Sequence, residues 1–427
     1  MSRLRLIHRH KQASPGSPKP MRRILLVLLS FSLAGCSWFS WLPWVDRDEQ
    51  KKQQKPMELV SFDAEVRLDH VWRASVGRGL GKKYLRLDPT VLADRIYAAD
   101  GYGELIALDR FTGKRVWRTK VGAVEKGMLG AVNFLDRKDP SFVSGGVGAG
   151  AGYVLLGTTL GEVIALSAVD GSEVWRSRVD SEVLAAPVTG DGLVFVQTID
   201  GRLLALEEDD GEIRWSFVNQ VPVLTLRGTS TPVYSSDVVY TGFANGMLSA
   251  LRSENGEPIW QHRVMLPEGR SELDRLVDID GSPLVLGRVV YAVAYQGKLK
   301  ALRRSDGAML WENDLSSYLD LGEGYGQVYV VGDSDVVTAV DQQTAEVVWT
   351  NEQLQRRRLT SPIAFSNYVV VGDDQGYLHV LAQSDGRFLG RRKIDGKGLR
   401  SDLIVEGGVL YVFGNSGSLH ALEIRSR

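Results

Sequence analysis

The chain has 427 residues, 44% of them hydrophobic and 24% charged, enough apolar material for a large folded core, and its formal charge is −1. Its one cysteine excludes an internal disulfide, and removing the first 35 residues, which hold seven Lys/Arg and no acid, takes the charge to −8. A domain that acidic lacks the basic footprint by which nucleic acids are bound.

In chain order, Met21-Arg22-Arg23, the apolar run from Ile24 to Phe31, and Leu33-Ala34-Gly35-Cys36 read as a secretion signal ending in a lipoprotein processing site, with Cys36 as the lipidated residue. The apolar run is too short to span a bilayer. Residues 1–20 are basic and polar, unlike the start of a signal, which makes Met21 the expected initiator. Ser37 follows the cysteine, and in the bacterial lipoproteins this leader resembles, serine there implies the outer membrane. The aromatic run Trp38-Phe39-Ser40-Trp41-Leu42-Pro43-Trp44 suits either the headgroup boundary or a plain stub beside the acyl chains. Residues 46–56 are polar and charged, a solvated tether. The expected organisation is therefore a signal at 1–35, a lipidated cysteine and flexible tether at 36–58, and one domain at 59–427.

That domain is built on one phrase written eight times. Its fullest form is Gly103-Glu104-Leu105-Ile106-Ala107-Leu108, a turn to Gly113, then Trp117. Copies follow at Gly161 with Trp175, Gly201 with Trp215, Gly246 with Trp260, and Gly297 with Trp311. The sixth has Asp335 and Ala345 at the glycine positions but keeps Ala339 and Trp349; the seventh, from Gly376, has Gly390 in place of the tryptophan; the eighth, Gly417 to Leu422, runs out before one. Side chains alternate along a strand, so Leu105-Ile106-Ala107-Leu108 is apolar on both faces and needs a sheet on each side. The small alanine suits close approach of neighbouring sheets, the glycines suit turns with positive φ, and each tryptophan offers a large apolar body to pack between sheets. From Ala107 to Ala421 the repeat averages about 45 residues, which fits four short strands and their turns. The fold class expected is all-β: an eight-bladed propeller of four-stranded antiparallel blades. Trp72 has no Gly-x-Leu-x-Ala-Leu strand before it, so the segment around His70-Val71-Trp72 is expected to complete the last blade and close the ring without open edges. The blade-packing tryptophans are then Trp72, Trp117, Trp175, Trp215, Trp260, Trp311 and Trp349.

No motif points to catalysis. His70, His262, His379 and His420 stand at no metal-ligand spacing, and His379 and His420 occupy equivalent repeat positions, which suits packing between blades. The run from Ser144 to Gly152 is glycine-rich like a phosphate loop but leads into a strand, Tyr153 to Leu156, rather than a helix; it reads as a flexible interblade loop. Asp278-Ile279-Asp280-Gly281 starts like a calcium loop without the glutamate that should follow. No cofactor and no metal are expected. The repeats also resemble those of quinoprotein dehydrogenases, which makes a pyrroloquinoline-quinone enzyme the alternative; many of those carry a disulfide of adjacent cysteines that one cysteine cannot form.

Four segments begin a blade with proline, at Pro187, Pro232, Pro283 and Pro362. Aligned on it, Arg227 and Asp278 are equivalent positions of consecutive blades, which places Leu224-Thr225-Leu226-Arg227-Gly228 beside Asp274 to Asp280 on one rim. Two leucines, an arginine and several carboxylates suit a protein contact; the same residues would also serve as cover, with Arg227 pairing Asp278. The lipobox, the eight repeats with a split last blade, and the phrases Leu224 to Pro232, Glu272 to Asp280 and Leu359-Thr360-Ser361-Pro362 strongly resemble the BamB family, from the signal to the C-terminus. That resemblance implies a non-enzymatic outer-membrane lipoprotein of the β-barrel assembly machinery, docked on the periplasmic POTRA domains of BamA through Leu224, Leu226, Arg227, Asp278 and Asp280, and aiding delivery of unfolded outer-membrane proteins.

Overall fold

Each Gly-x-Leu-x-Ala-Leu phrase forms the third strand of a four-stranded antiparallel sheet, and the segment with the tryptophan forms the fourth. The computed structural model describes residues 55–427 except 83, 123–140, 223, 227, 267–269 and 272, so Cys36, the leader and Arg227 lie outside the described residues. Among the described residues there are thirty-two strands, β1 to β32 in chain order, in eight sheets, and no helix. The first strands of neighbouring sheets touch: β2 (Thr90–Leu92) meets β6 (Val143–Gly150), β6 meets β10 (Val188–Gly190), β10 meets β14 (Val233–Ser235), β14 meets β18 (Leu284–Leu286), β22 (Gly322–Gly324) meets β26 (Ile363–Phe365), and β26 meets β30 (Ile404–Glu406). First strands therefore line the axis and fourth strands form the outside of an eight-bladed propeller.

The ring closes as expected from the split repeat. β1 (Val66–Ser75) pairs antiparallel with β32 (Ser418–Ser426) from Val66↔Ser426 to Ser75↔Ser418, with a bulge at Val71 that places Trp72 opposite Ala421. The eighth sheet thus runs β1-β32-β31-β30, with β31 at Val409–Phe413. The compact unit begins at Pro56, so Met57 and Glu58, assigned to the tether, lie on the ring. Residues 57–65 cross the seventh blade as a strap: Met57 N–H donates to Gln355 O (3.1 Å), Arg357 donates to Met57 O (2.7 Å), Arg391 donates to Val60 O (2.8 Å), and Phe62 stacks on Phe388 at 5.3 Å.

The repeat alanine has a different purpose from close blade approach. In the first blade Tyr97, Ala107 and Trp117 sit side by side on strands two, three and four, and the two rings meet at 5.8 Å above the methyl group between them. The same row recurs as Phe195-Ala205-Trp215 (6.0 Å), Tyr240-Ala250-Trp260 (6.0 Å), Tyr291-Ala301-Trp311 (5.7 Å), Tyr329-Ala339-Trp349 (6.0 Å) and Tyr411-Ala421-Trp72 (5.9 Å). A larger residue in the middle would push the rings apart. Each indole N–H then reaches the next blade: Trp72 donates to Arg110 O (2.8 Å), Trp117 to Ala168 O (3.1 Å), Trp175 to Glu208 O (2.8 Å), Trp215 to Ser253 O (2.8 Å), Trp260 to Arg304 O (2.9 Å), Trp311 to Gln342 O (2.9 Å) and Trp349 to Gln383 O (2.7 Å). The turn glycine of that next blade lies against the ring; a Cβ on Gly113, at φ +68°, would stand 2.6 Å from Trp72 Cδ2.

The degenerate repeats keep the blade geometry with other residues. In the seventh, all three row positions change together, to Val370, Val380 and Gly390. The reason is the chain break: the next blade has no third-to-fourth turn to cover an indole, because β32 ends there and β1 begins, and Val66 fills the place instead. A Cβ on Gly390 would lie 2.8 Å from Val66 Cγ2. In the sixth, Asp335 and Ala345 both take φ +64°, the conformation the glycines adopt elsewhere, and Asp335 uses its carboxylate to accept from Arg358 N–H and Leu359 N–H, each at 2.8 Å.

The glycine-rich run is not a loop. Val143–Gly150 is β6, the axial strand of the second blade, and its glycines let two backbones touch: a Cβ on Gly145 would be 2.5 Å from Ala185 O. Around the axis, residues at the start of successive first strands form a girdle. Ser282 N–H donates to Asp320 Oδ1 (2.7 Å), Asp320 N–H to Ser361 Oγ (3.1 Å), Ser361 N–H to Asp402 Oδ1 (3.2 Å), and Asp402 N–H to Asp88 Oδ1 (2.6 Å), so the last bond ties blade eight to blade one. The two histidines at equivalent positions are buried in polar networks: His379 Nε2 lies 2.9 Å from Asp373 Oδ2 and its Nδ1 accepts from Arg391 (3.1 Å), while His420 Nδ1 lies 2.9 Å from His70 Nε2.

Candidate partner-binding face

Because strands alternate in direction, the loops from each fourth strand to the next first strand share one face with the turns between second and third strands. The two loops singled out by the proline alignment lie there side by side. Leu226 N–H donates to Asp278 Oδ2 (2.7 Å), Ser230 Oγ donates to Gly281 O (3.2 Å), and Tyr295 N–H, from a second-to-third turn, donates to Asp278 O (2.7 Å). Gly228 is packed against the Asp280 carboxylate so closely that a Cβ there would stand 2.6 Å from Asp280 Cγ.

These contacts divide the five residues into different tasks. Leu224 is exposed and Leu226 half-buried, whereas Asp278 is 1% exposed and is spent on holding the neighbouring loop. Arg227 is not among the described residues. Burial raises the Asp278 carboxyl to about 6, against the opposing bond from Leu226 N–H. Asp280 is raised to about 8, by burial first and by Asp278 second, with Arg86 pulling the other way.

Leu226, Gly228, Thr229 and Asp280 form one wall of a cavity of about 410 Å³ at the mouth of the axial funnel; Tyr84, Leu85, Arg86, Tyr295 and Tyr318 form much of the rest. Arg86 links this lining to the acidic side of the girdle, since Asp402, Asp88 and Asp320 all act on its charge. Burial pushes Asp88 up to about 8 and Asp320 up to about 6, and Asp402 adds to both. Burial works against the Arg86 charge, but Asp402, Asp88 and Asp320 outweigh it and hold that guanidinium above its usual pKa. The repeat pattern carries no sign of this funnel, since its residues come from segments hundreds of positions apart. The one local signal is Asp88-Pro89, which aligns with Ser282-Pro283 and Ser361-Pro362. Among the described residues no group of three or more His, Cys, Asp or Glu side chains is arranged to hold a metal ion.

A family model described as "Outer membrane protein assembly factor BamB" matches residues 67–133, 132–351 and 297–427. Proteins of that name are 43% identical in Pseudomonas aeruginosa (94% of this chain, 98% of the relative), 36% in Yersinia pestis (94% and 99%) and 35% in Escherichia coli (94% and 99%). This chain belongs to the BamB family. The crystal structure of BamB from Moraxella catarrhalis matches with a TM-score of 0.74 at 28% identity, over 84% of this chain and all of that one. The quinohemoprotein alcohol dehydrogenase of Comamonas testosteroni matches with a TM-score of 0.65 at 14% identity, over 83% of this chain and 76% of that one, a likeness of fold alone. BamB relatives are assembly factors, a non-enzymatic role, and the enzyme alternative raised by the repeats rests on the shared propeller only.

Proposed function

We propose that this chain is a scaffold of the outer-membrane β-barrel assembly machinery, anchored through lipidated Cys36 on the periplasmic face of the outer membrane, and that it binds the POTRA domains of BamA through the 224–230 and 274–280 loops. Membership of the BamB family and the lipobox support the place and the partnership. The observation that carries the site is the Leu226–Asp278 bond, which ties Leu226 to the loop of the next blade before any partner arrives. A tied residue avoids the ordering cost that a mobile one pays on binding. Leu224 and Leu226 then supply the apolar anchor, Arg227 the charged contact, and Asp278 and Asp280 the support behind them. Held there, the ring would help hand unfolded outer-membrane proteins to BamA.

The test is co-purification with BamA of the paired variant Leu224→Ala/Arg227→Glu. Loss of BamA with an unchanged melting curve is the expected result. Undiminished recovery of BamA would remove these loops from the contact.

A further inference from the structure

The same face carries a second feature, on the far side of the funnel. Three interblade loops, 76–88, 352–362 and 394–402, hold the exposed cations Arg78, Arg358 and Lys397, with Glu352 as their exposed acid. Their other carboxylates are used inside. Asp88 and Asp402 belong to the girdle, and Asp395 accepts from the Ser416 and Ser418 hydroxyls.

These loops are one connected surface. Arg358 pairs with Asp374 at 3.5 Å, which offsets it in part; Asp374 N–H donates to Arg357 O (3.1 Å); Asn415 Nδ2 donates to Lys397 O (3.0 Å); and Leu80 N–H donates to Asn415 O (3.3 Å). The Arg400 guanidinium lies 3.9 Å over the Tyr84 ring, bringing the arc to the cavity wall opposite Leu226. In a processed chain of formal charge −8, gathering cations on one arc of one face is a strong local reversal of sign.

We infer that this basic arc, contributed by blades six, seven, eight and one, is a docking surface for an acidic protein surface on the partner that seats on the 224–230 and 274–280 loops. The inference rests on the proposed contact with BamA. A body seated on those loops covers the cavity between them and Tyr84, and so meets the arc on the far wall. Exposed charges placed this way act on the encounter more than on the final complex, because opposite fields steer diffusing partners while rim pairs add little to a formed interface.

The experiment measures association and dissociation rates between the full processed chain in detergent and the periplasmic domain of BamA, across a salt series. The variant Arg358→Glu/Lys397→Glu is expected to associate about tenfold more slowly at low salt, with the difference vanishing near ~0.5 M salt and dissociation little changed. Leu224→Ala in parallel is expected to speed dissociation instead, which separates the arc from the loops. An unchanged association rate overturns the inference while leaving the loop contact standing. Should the unaltered chain not bind BamA at all, the proposed function and the arc's role fall together. If association is unchanged but the variant loses sedimentation with vesicles of anionic phospholipid, the arc serves a membrane and the inference is wrong.

Discussion

Restoring the repeat's own tryptophan in the seventh blade should damage this ring. Replacement by consensus residues normally stabilises a repeat protein, which makes Gly390→Trp a sharp test of why glycine stands there. A Cβ at residue 390 would already lie 2.8 Å from Val66 Cγ2 and 3.1 Å from Val66 O, and Val66 is only 4% exposed. Forcing in an indole costs about 1–3 kcal/mol for overpacking. Displacing Val66 gives up about 1.5 kcal/mol of apolar burial, and loosening the Glu65 N–H bond to Leu389 O (2.9 Å) gives up about 1 kcal/mol more. The ring would recover little, because Val380 stands where alanine makes room for an aromatic row and no turn glycine lies beyond. The net loss is about 3–5 kcal/mol, which for a domain this large is about 4–7 °C in melting temperature. Differential scanning calorimetry reads it directly. A melting temperature equal to or above that of the unaltered chain would refute the idea that the closing strand, rather than drift of the repeat, explains Gly390.

Two further outcomes follow from the same reasoning. Ala345 holds φ +64° with a side chain that disfavours it, so Ala345→Gly should raise stability by about 0.5–1 kcal/mol, seen as a higher urea midpoint; a lower midpoint would mean the backbone there is not strained. Asp88 has a folded pKa of about 8, above its unfolded value near ~3.9. Its stabilising contribution is therefore complete below the unfolded value and is lost as pH rises through about 8. The melting temperature should fall between pH 6 and 9 (about the upper half of that titration), with Asp280, also at about 8, adding to the fall, and Asp88→Asn, which keeps an acceptor for Asp402 N–H, should remove the share due to Asp88. His379, held below its ordinary pKa by burial, acts in the opposite sense and only below about pH 6.5. A variant with an unaltered pH profile would show that Asp88 is not among the titrating groups.

Much of the architecture is legible in the amino-acid sequence, for a local reason. A strand that must be covered on both faces, a turn that needs positive φ and an indole ten residues beyond an alanine all leave marks a few residues apart, and eight copies make them unmistakable. Even the closure is visible, since Trp72 lacks its strand and Leu422 lacks its tryptophan. The purpose of the alanine is hidden, because its aromatic neighbours are ten residues away on both sides and meet only when three strands lie in register. The glycines from Gly145 to Gly150 suggest a loop for a similar reason. Their sequence shows a lack of side chains but not the backbone of the next blade that requires it.

The functional face divides along the same line. Repeat alignment alone places Leu226 and Asp278 on neighbouring loops, because blades consecutive in sequence must be adjacent in a ring. Only the folded structure shows that Asp278 is buried and holds the Leu226 backbone, since a main-chain donor is common to nearly every residue type and leaves no signature. The girdle from Asp320 to Asp88 and the basic arc from Arg78 to Arg400 likewise join segments separated by most of the chain. Periodicity is a short-range property and is written in the sequence; a surface where blades one, six, seven and eight meet is long-range, and it exists only once β1 has paired with β32.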